Sequence, residues 1–124
     1  MNLILLRCED ERVNARKGAI VAMEQLFLKL NDPEMVNVCV EKLKVSLGLI
    51  LQLQDWNFHA IKVRCRDQSL AVRKCAAESL TRLLSSTIGE IKFQSTWLHY
   101  VMLLITDREM GVQQLCARLF SVSI

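Results

Sequence analysis

Proline occurs once in this sequence, at Pro33, and glycine only four times. Both residues are costly inside a helix, so a chain nearly free of them has few tight turns and is expected to be all-α. Aromatic residues are scarce as well, at 6%. An excess of one charge sign is also missing: 16 Lys and Arg face 13 Asp and Glu, a formal net charge of +3. That balance permits a nucleic-acid or acidic-protein partner without requiring one. No apolar run is long enough to span a bilayer. MNLILL at 1–6 also lacks the basic leader and cleavage site of a signal peptide, and LGLILQL at 47–53 is too short. The five cysteines, Cys8, Cys39, Cys65, Cys75 and Cys116, form no CxxC pair and no Cys/His cluster at metal-ligand spacing. Free thiols in a reducing intracellular compartment are the expectation, with no metal, no cofactor, no membrane and no small-molecule substrate implied.

Hydrophobic residues fill 52% of the 124 positions, ample for the core of one domain or of a slice of a longer array. The most informative feature is repetition. RCEDERVNARKGAIVAMEQLF at 7–27 returns at 64–84 as RCRDQSLAVRKCAAESLTRLL. Aligning Asp10 with Asp67 pairs Arg7 with Arg64, Cys8 with Cys65, Arg16 with Arg73 and Lys17 with Lys74. A fainter third copy begins at Asp107 as DREMGVQQLCARLF, with Val112 in the place of Val72, Cys116 in that of Ala76 and Gln113 in that of Arg73. The shared frame is Asp, four residues, a small or branched apolar residue, Arg or Gln, then apolar positions at helical spacing.

That frame has a mechanical reading. An Asp just before a helix accepts backbone hydrogen bonds from the first turn, and Val72, Ala76, Leu80, Leu83 and Leu84 then lie along one helical face. Apolar stretches upstream of each Asp, at 3–6, 56–63 and 95–105, read as the outer helices of antiparallel pairs. Asp32-Pro33 is a helix-start signal, and the pattern Val36, Val40, Leu43, Leu47, Ile50 predicts one long additional helix over 32–54. The expected division is residues 1–30 as a first repeat, 32–54 as that extra helix, 55–86 as a second repeat and 88–124 as a third. Asp67 and Asp107 are 40 positions apart, close to the roughly 40–47-residue period of HEAT and armadillo units. Such pairs cannot bury their apolar faces alone, so they stack, and an α-solenoid of antiparallel helix pairs, a fragment of a longer array, is expected.

The runs DERVNARKGAIVAMEQLF, CRDQSLAVRKCAAESLTRLL and TWLHYVMLLITDREMGVQQLCARLF resemble consecutive HEAT repeats of the D-type, non-SMC subunits of condensin II. The resemblance covers about three quarters of the chain and leaves out 31–54. It implies a non-enzymatic scaffold role in mitotic chromosome condensation, in the nucleus, with SMC ATPase and kleisin subunits as partners and chromatin or DNA within reach. It also implies a hydrogen-bonded ladder between neighbouring repeats, carried here by Asp10, Arg16, Asp67, Arg73 and Asp107. Gln113 cannot form the charge-assisted bond of the third rung. A generic HEAT adaptor, carrying or regulating another protein, is the alternative.

Arg64, Arg66 and Lys74 are candidate phosphate contacts, since a repeat presents the same edge to the same side. Interleaved acids, among them Asp67, favour solvated faces and ladder partners instead. His59 and His99 sit in apolar helical stretches. No acid stands at a spacing that would orient a Cys/His nucleophile pair, and there is no Gly-rich phosphate loop or HExxH, so no catalytic residue is assigned. Cys8 and Cys65 are read as helix-packing residues, and Trp56 and Trp97, each near the start of an apolar helix, as core.

Overall fold

The computed structural model describes residues 11–86 and 91–123. Among them are six α-helices and no strand: α1 (Val13–Leu30), α2 (Pro33–Glu41), α3 (Leu47–Val63), α4 (Leu70–Ser86), α5 (Ile91–Tyr100) and α6 (Met110–Ser123). Short 3-10 turns at Arg64–Arg66 and Met102–Thr106 end the outer helices α3 and α5. The described residues are all-α, as the scarcity of proline and glycine led one to expect, and their packed helices fit the solenoid stack expected from the repeat. The stretch at 95–105 is not one helix, because it tightens into its 3-10 turn after Tyr100.

Helix α4 is the spine. It packs against α1 and α3 on one side and against α5 and α6 on the other. The stripe read from the sequence is what it buries: Val72, Ala76, Leu80 and Leu83 are inside, and Leu84 packs at the margin. From α1 come Ala19, Ile20, Met23 and Phe27, and from α6 Val112, Leu115 and Cys116. Phe27 of α1, Phe58 of α3 and Phe93 of α5 meet with ring centroids 4.6–6.0 Å apart, two of the three contacts edge to face. Trp97 is buried, and its indole N–H donates to Thr81 Oγ1 over 2.8 Å. Fully burying a large apolar side chain contributes roughly 1.5–3 kcal/mol, so this seam of aromatic and aliphatic groups holds the stack together.

The single helix expected over 32–54 is two helices. α2 stops at Glu41, Lys44 takes a left-handed backbone with φ 57°, and α3 starts afresh with Ser46 as its cap, the side-chain oxygen accepting from Leu49 N–H over 3.1 Å. Val45 N–H donates back to the Cys39 carbonyl over 3.0 Å, which closes the turn. The apolar positions on either side happen to keep helical spacing across the break, which hid it. Residues 47–54 therefore belong to the same helix as 55–63. A left-handed Lys carries a Cβ penalty of about 1–2 kcal/mol that glycine lacks. Lys44→Gly should accordingly raise the melting temperature slightly in a thermal unfolding scan, and a clear drop would argue against a left-handed turn at 44.

Candidate functional site

The Asp residues of the repeated frame sit where the outer helix turns into the inner one. Asp67 Oδ1 accepts from Ser69 N–H over 2.9 Å, and Asp107 Oδ1 accepts from Glu109 N–H over 2.9 Å, so each ties down the entry to α4 and α6. Each Asp also receives an arginine from the preceding inner helix. Arg16 of α1 grips Asp67 with two bonds, Nε to Oδ2 and Nη2 to Oδ1, both 2.9 Å. Arg73 of α4 reaches Asp107 in the same way, Nη2 donating to Oδ1 over 3.1 Å while Nε stands 2.9 Å from Oδ2. That Nε–H points off the line to the carboxylate, so the second grip is looser than the first.

The same arginines also brace their own turns. Arg16 Nη1 donates to the Glu11 carbonyl over 2.9 Å, and Arg73 Nη1 donates to the Asp67 carbonyl over 2.9 Å. Gln113 of α6 keeps only this inward half, its amide donating to the Asp107 carbonyl. Asp10, the first Asp of the frame, and Cys8 and Arg7 beside it lie outside the described residues. A planar fork matching a carboxylate explains why arginine recurs at this position.

A second tie was not read from the sequence. Glu24 of α1 is buried and takes two 2.7 Å bonds from Arg82 of α4, and Ser79 Oγ donates to the same carboxylate. Its one sequence signal is a carboxylate on an inward face, four positions after Ile20 and three before Phe27. Burial works to raise the Glu24 pKa, but hydrogen bonds from Arg82 and Ser79 outweigh it and hold it below its ordinary value. For Asp67, burial likewise opposes ionisation, and the bonds from Arg16 and Ser69 with the charges of Arg16 and Arg64 win. Two depressed carboxyls contribute stability that is complete above the ordinary carboxylate range, about pH 4. It is lost as the pH falls through their lower folded values. The melting temperature should therefore hold from neutrality to about pH 5 and then fall steeply below pH 4. In a Glu24→Gln, Asp67→Asn double variant that fall should be shallower, and equal steepness would assign acid sensitivity to other groups.

The three candidate phosphate contacts do not form one cluster. Arg64 is half-buried and spends Nη1 on Asp67 Oδ2 at 3.1 Å. Arg66 is exposed and lies 4.9 Å from the centroid of the Tyr100 ring, against which Lys62 also rests at 5.6 Å. Arg64 and Arg66 line an open cleft of about 640 Å³ with Arg16, Val63, Gln68 and Tyr100, Glu11 and the neutralised Asp67. Lys74 lines a separate groove with Lys17, Cys75 and Arg82, its ammonium folded over Gly111 so closely that a Cβ there would stand 2.9 Å from Nζ.

His59 and His99 are both exposed, the latter edge-on to Tyr100. Burial pushes the Cys65 thiol up to about 12, which keeps it protonated and unreactive. Among the described residues, no group of three or more His, Cys, Asp and Glu is placed to hold a metal ion, and no helix is long and apolar enough to cross a membrane. Trp97 is core as expected, at 4% exposure, but Trp56 is not: at 45% it stands on the outer face of α3.

Comparison with known proteins finds one informative likeness. Subunit D3-L of the condensin-2 complex of Xenopus laevis is 29% identical over 114 residues. Those residues are 92% of this chain and 6% of that protein, so the chain spans a small part of its relative's length. No family model matches the chain, and no solved structure matches it. Together with the all-helical stack, the likeness supports a distant HEAT-like relationship.

Proposed function

We propose that this chain is a non-enzymatic scaffold segment of a condensin II-type complex, acting on mitotic chromosomes in the nucleus. The observation that carries the reading is the likeness to a condensin-2 subunit along 92% of the chain. The cross-helix arginine–aspartate bonds support it, because they are what a repeat array needs to fix one helix pair on the next. In this reading α3 with α4 and α5 with α6 are successive repeats, and SMC ATPase and kleisin subunits are the partners. Affinity capture of the full-length protein from mitotic cells should recover both. Recovery with neither would leave a generic HEAT adaptor as the better account.

If these repeats also touch DNA, the contact is to phosphate and carries no base information. Arg66→Gln with Lys74→Gln should then weaken binding to all sequences alike and flatten the slope of log affinity against log salt by about 1.8. Arg64 is left in place because it holds Asp67. An unchanged salt slope would confine the segment to protein contacts.

A further inference from the structure

The outer face of α3 has no covering helix among the described residues, yet it is patterned for one. Leu49, Leu53, Trp56, Ala60 and Val63 follow one another at alternating spacings of four and three along its length. That is the 3.5-residue period of a helix seam, which places all five side chains on one stripe. Leu49, Trp56 and Val63 remain 44%, 45% and 36% exposed, and Leu53 and Ala60 lie between them partly covered. From Leu47 to Leu53 the helix carries no charged residue and only one polar side chain, Gln52, and so apolar a stretch of helix is normally buried on most of its sides. The stripe does not end in solvent. Val63, its last member, is also a wall of the cleft that Arg64, Arg66 and Arg16 line.

We propose that the α3 stripe and this cleft together form one docking site for an amphipathic helix of a partner protein, with an apolar seam and an acidic end. The seam lies along Leu49–Val63 at the crossing of about 20° that heptad-spaced helices adopt, and Trp56 is the central anchor. Seventeen residues of α3 span about 25 Å, so the partner segment is four to five turns long. Its acidic end enters the cleft, where Asp67 is already neutralised by Arg16 and Arg64 and where Arg66 offers a cationic group beside Tyr100, a ring that Lys62 approaches from outside the cleft wall. Glu11 is the remaining acid of the cleft wall and sets the side from which a carboxylate stays away. The site deepens the scaffold reading, on which it rests, by giving the class of partner segment that this stretch would hold.

The test uses the whole 124-residue chain and synthetic fluorescein-labelled peptides of about 18 residues with leucine at the seam positions, followed by fluorescence polarisation. The first peptide has glutamates on the flanks and at one end, the second has lysines in their place, and the third is a scramble of the first. Only the first should bind saturably, with the Trp56 emission moving to the blue. Trp56→Ala and Leu49→Ala, both at exposed positions, should each weaken it at least tenfold while circular dichroism stays unchanged. Arg66→Glu should abolish the preference for glutamate over lysine flanks. Equal binding of the scrambled or lysine peptide, or indifference to Trp56→Ala, would overturn the proposal. So would a dimer in sedimentation that Trp56→Ala dissociates, since the occupant would then be a second copy. Peptide binding that emerges only after Leu5→Asp would assign the stripe to the chain's own segment 1–10. None of these outcomes depends on which complex the full-length protein joins, so a failed capture from mitotic cells and a failed peptide experiment remain distinguishable.

Discussion

Replacing Asp67 with alanine is expected to cost about 3–5 kcal/mol of folding stability, because it leaves two largely buried guanidinium groups at the inner wall of the cleft with no counter-charge. The side chain is nearly sealed, at 3% exposure, and its chief partner Arg16 is at 12%. Four bonds are lost at once: two from Arg16, one from Arg64 and one from the Ser69 N–H that opens α4. The cap alone is worth about 0.5–2 kcal/mol, so the remainder measures the stranded charges. Denaturant titration would show the loss as a lower midpoint with an unchanged slope. A companion variant separates the two contributions. Arg16→Met combined with Asp67→Asn removes the grip from both sides and keeps a capping side chain, and it should recover much of the stability of Asp67→Ala. If the double variant is no better than Asp67→Ala, the pocket tolerates an unpaired guanidinium and the lost cap accounts for most of the destabilisation.

Phe27→Ala is expected to reduce stability by a similar amount, about 3–5 kcal/mol, through a cavity rather than a charge. The ring is 1% exposed and is the contribution of α1 to a contact that also engages α3 and α5. A domain of this size has about 5–15 kcal/mol of stability in all, so the variant should be partly unfolded near body temperature. Phe27→Leu, which refills most of the volume, should lose far less. The comparison by thermal unfolding is decisive, because equal losses for Ala and Leu would show that the aromatic geometry, and not the filled space, is what matters.

Much of this architecture was legible in the chain. The frame from Asp67 to Leu83 could be read because every step of it is local: a cap, a turn and a 3.6-residue apolar period are all written within about seventeen positions. The Arg16–Asp67 bond joins residues 51 apart, and no local rule pairs them. Only a likeness to other repeat arrays did. The Glu24–Ser79–Arg82 cluster escaped because Ser79 and Arg82 each resemble a solvated helix residue, and the inward place of Glu24 does not by itself name a partner 55 or 58 positions away. The break at 42–46 escaped for the opposite reason, since Leu43, Leu47 and Ile50 keep helical spacing across a turn that Lys44 and Ser46 create. Trp56 was misplaced because an aromatic in an apolar helix signals a contact without saying whether that contact is within the chain.

The two charged ties between α1 and α4 also settle how this stack should respond to load. Arg16 and Glu24 leave α1 eight residues apart, about 12 Å along its axis, so their bonds to Asp67 and Arg82 act like two pins through a plate. Two pins resist twisting as well as separation. Between α4 and α6, among the described residues, the charged ties Arg73 to Asp107 and Arg108 to the Gln68 carbonyl both sit at the helix entries, and the neutral Trp97–Thr81 bond comes from the outer row. Ties gathered at one end leave a pivot. A pull along the stack should therefore bend it at the α4–α6 joint first, with α1 and α4 moving as one stiff lever.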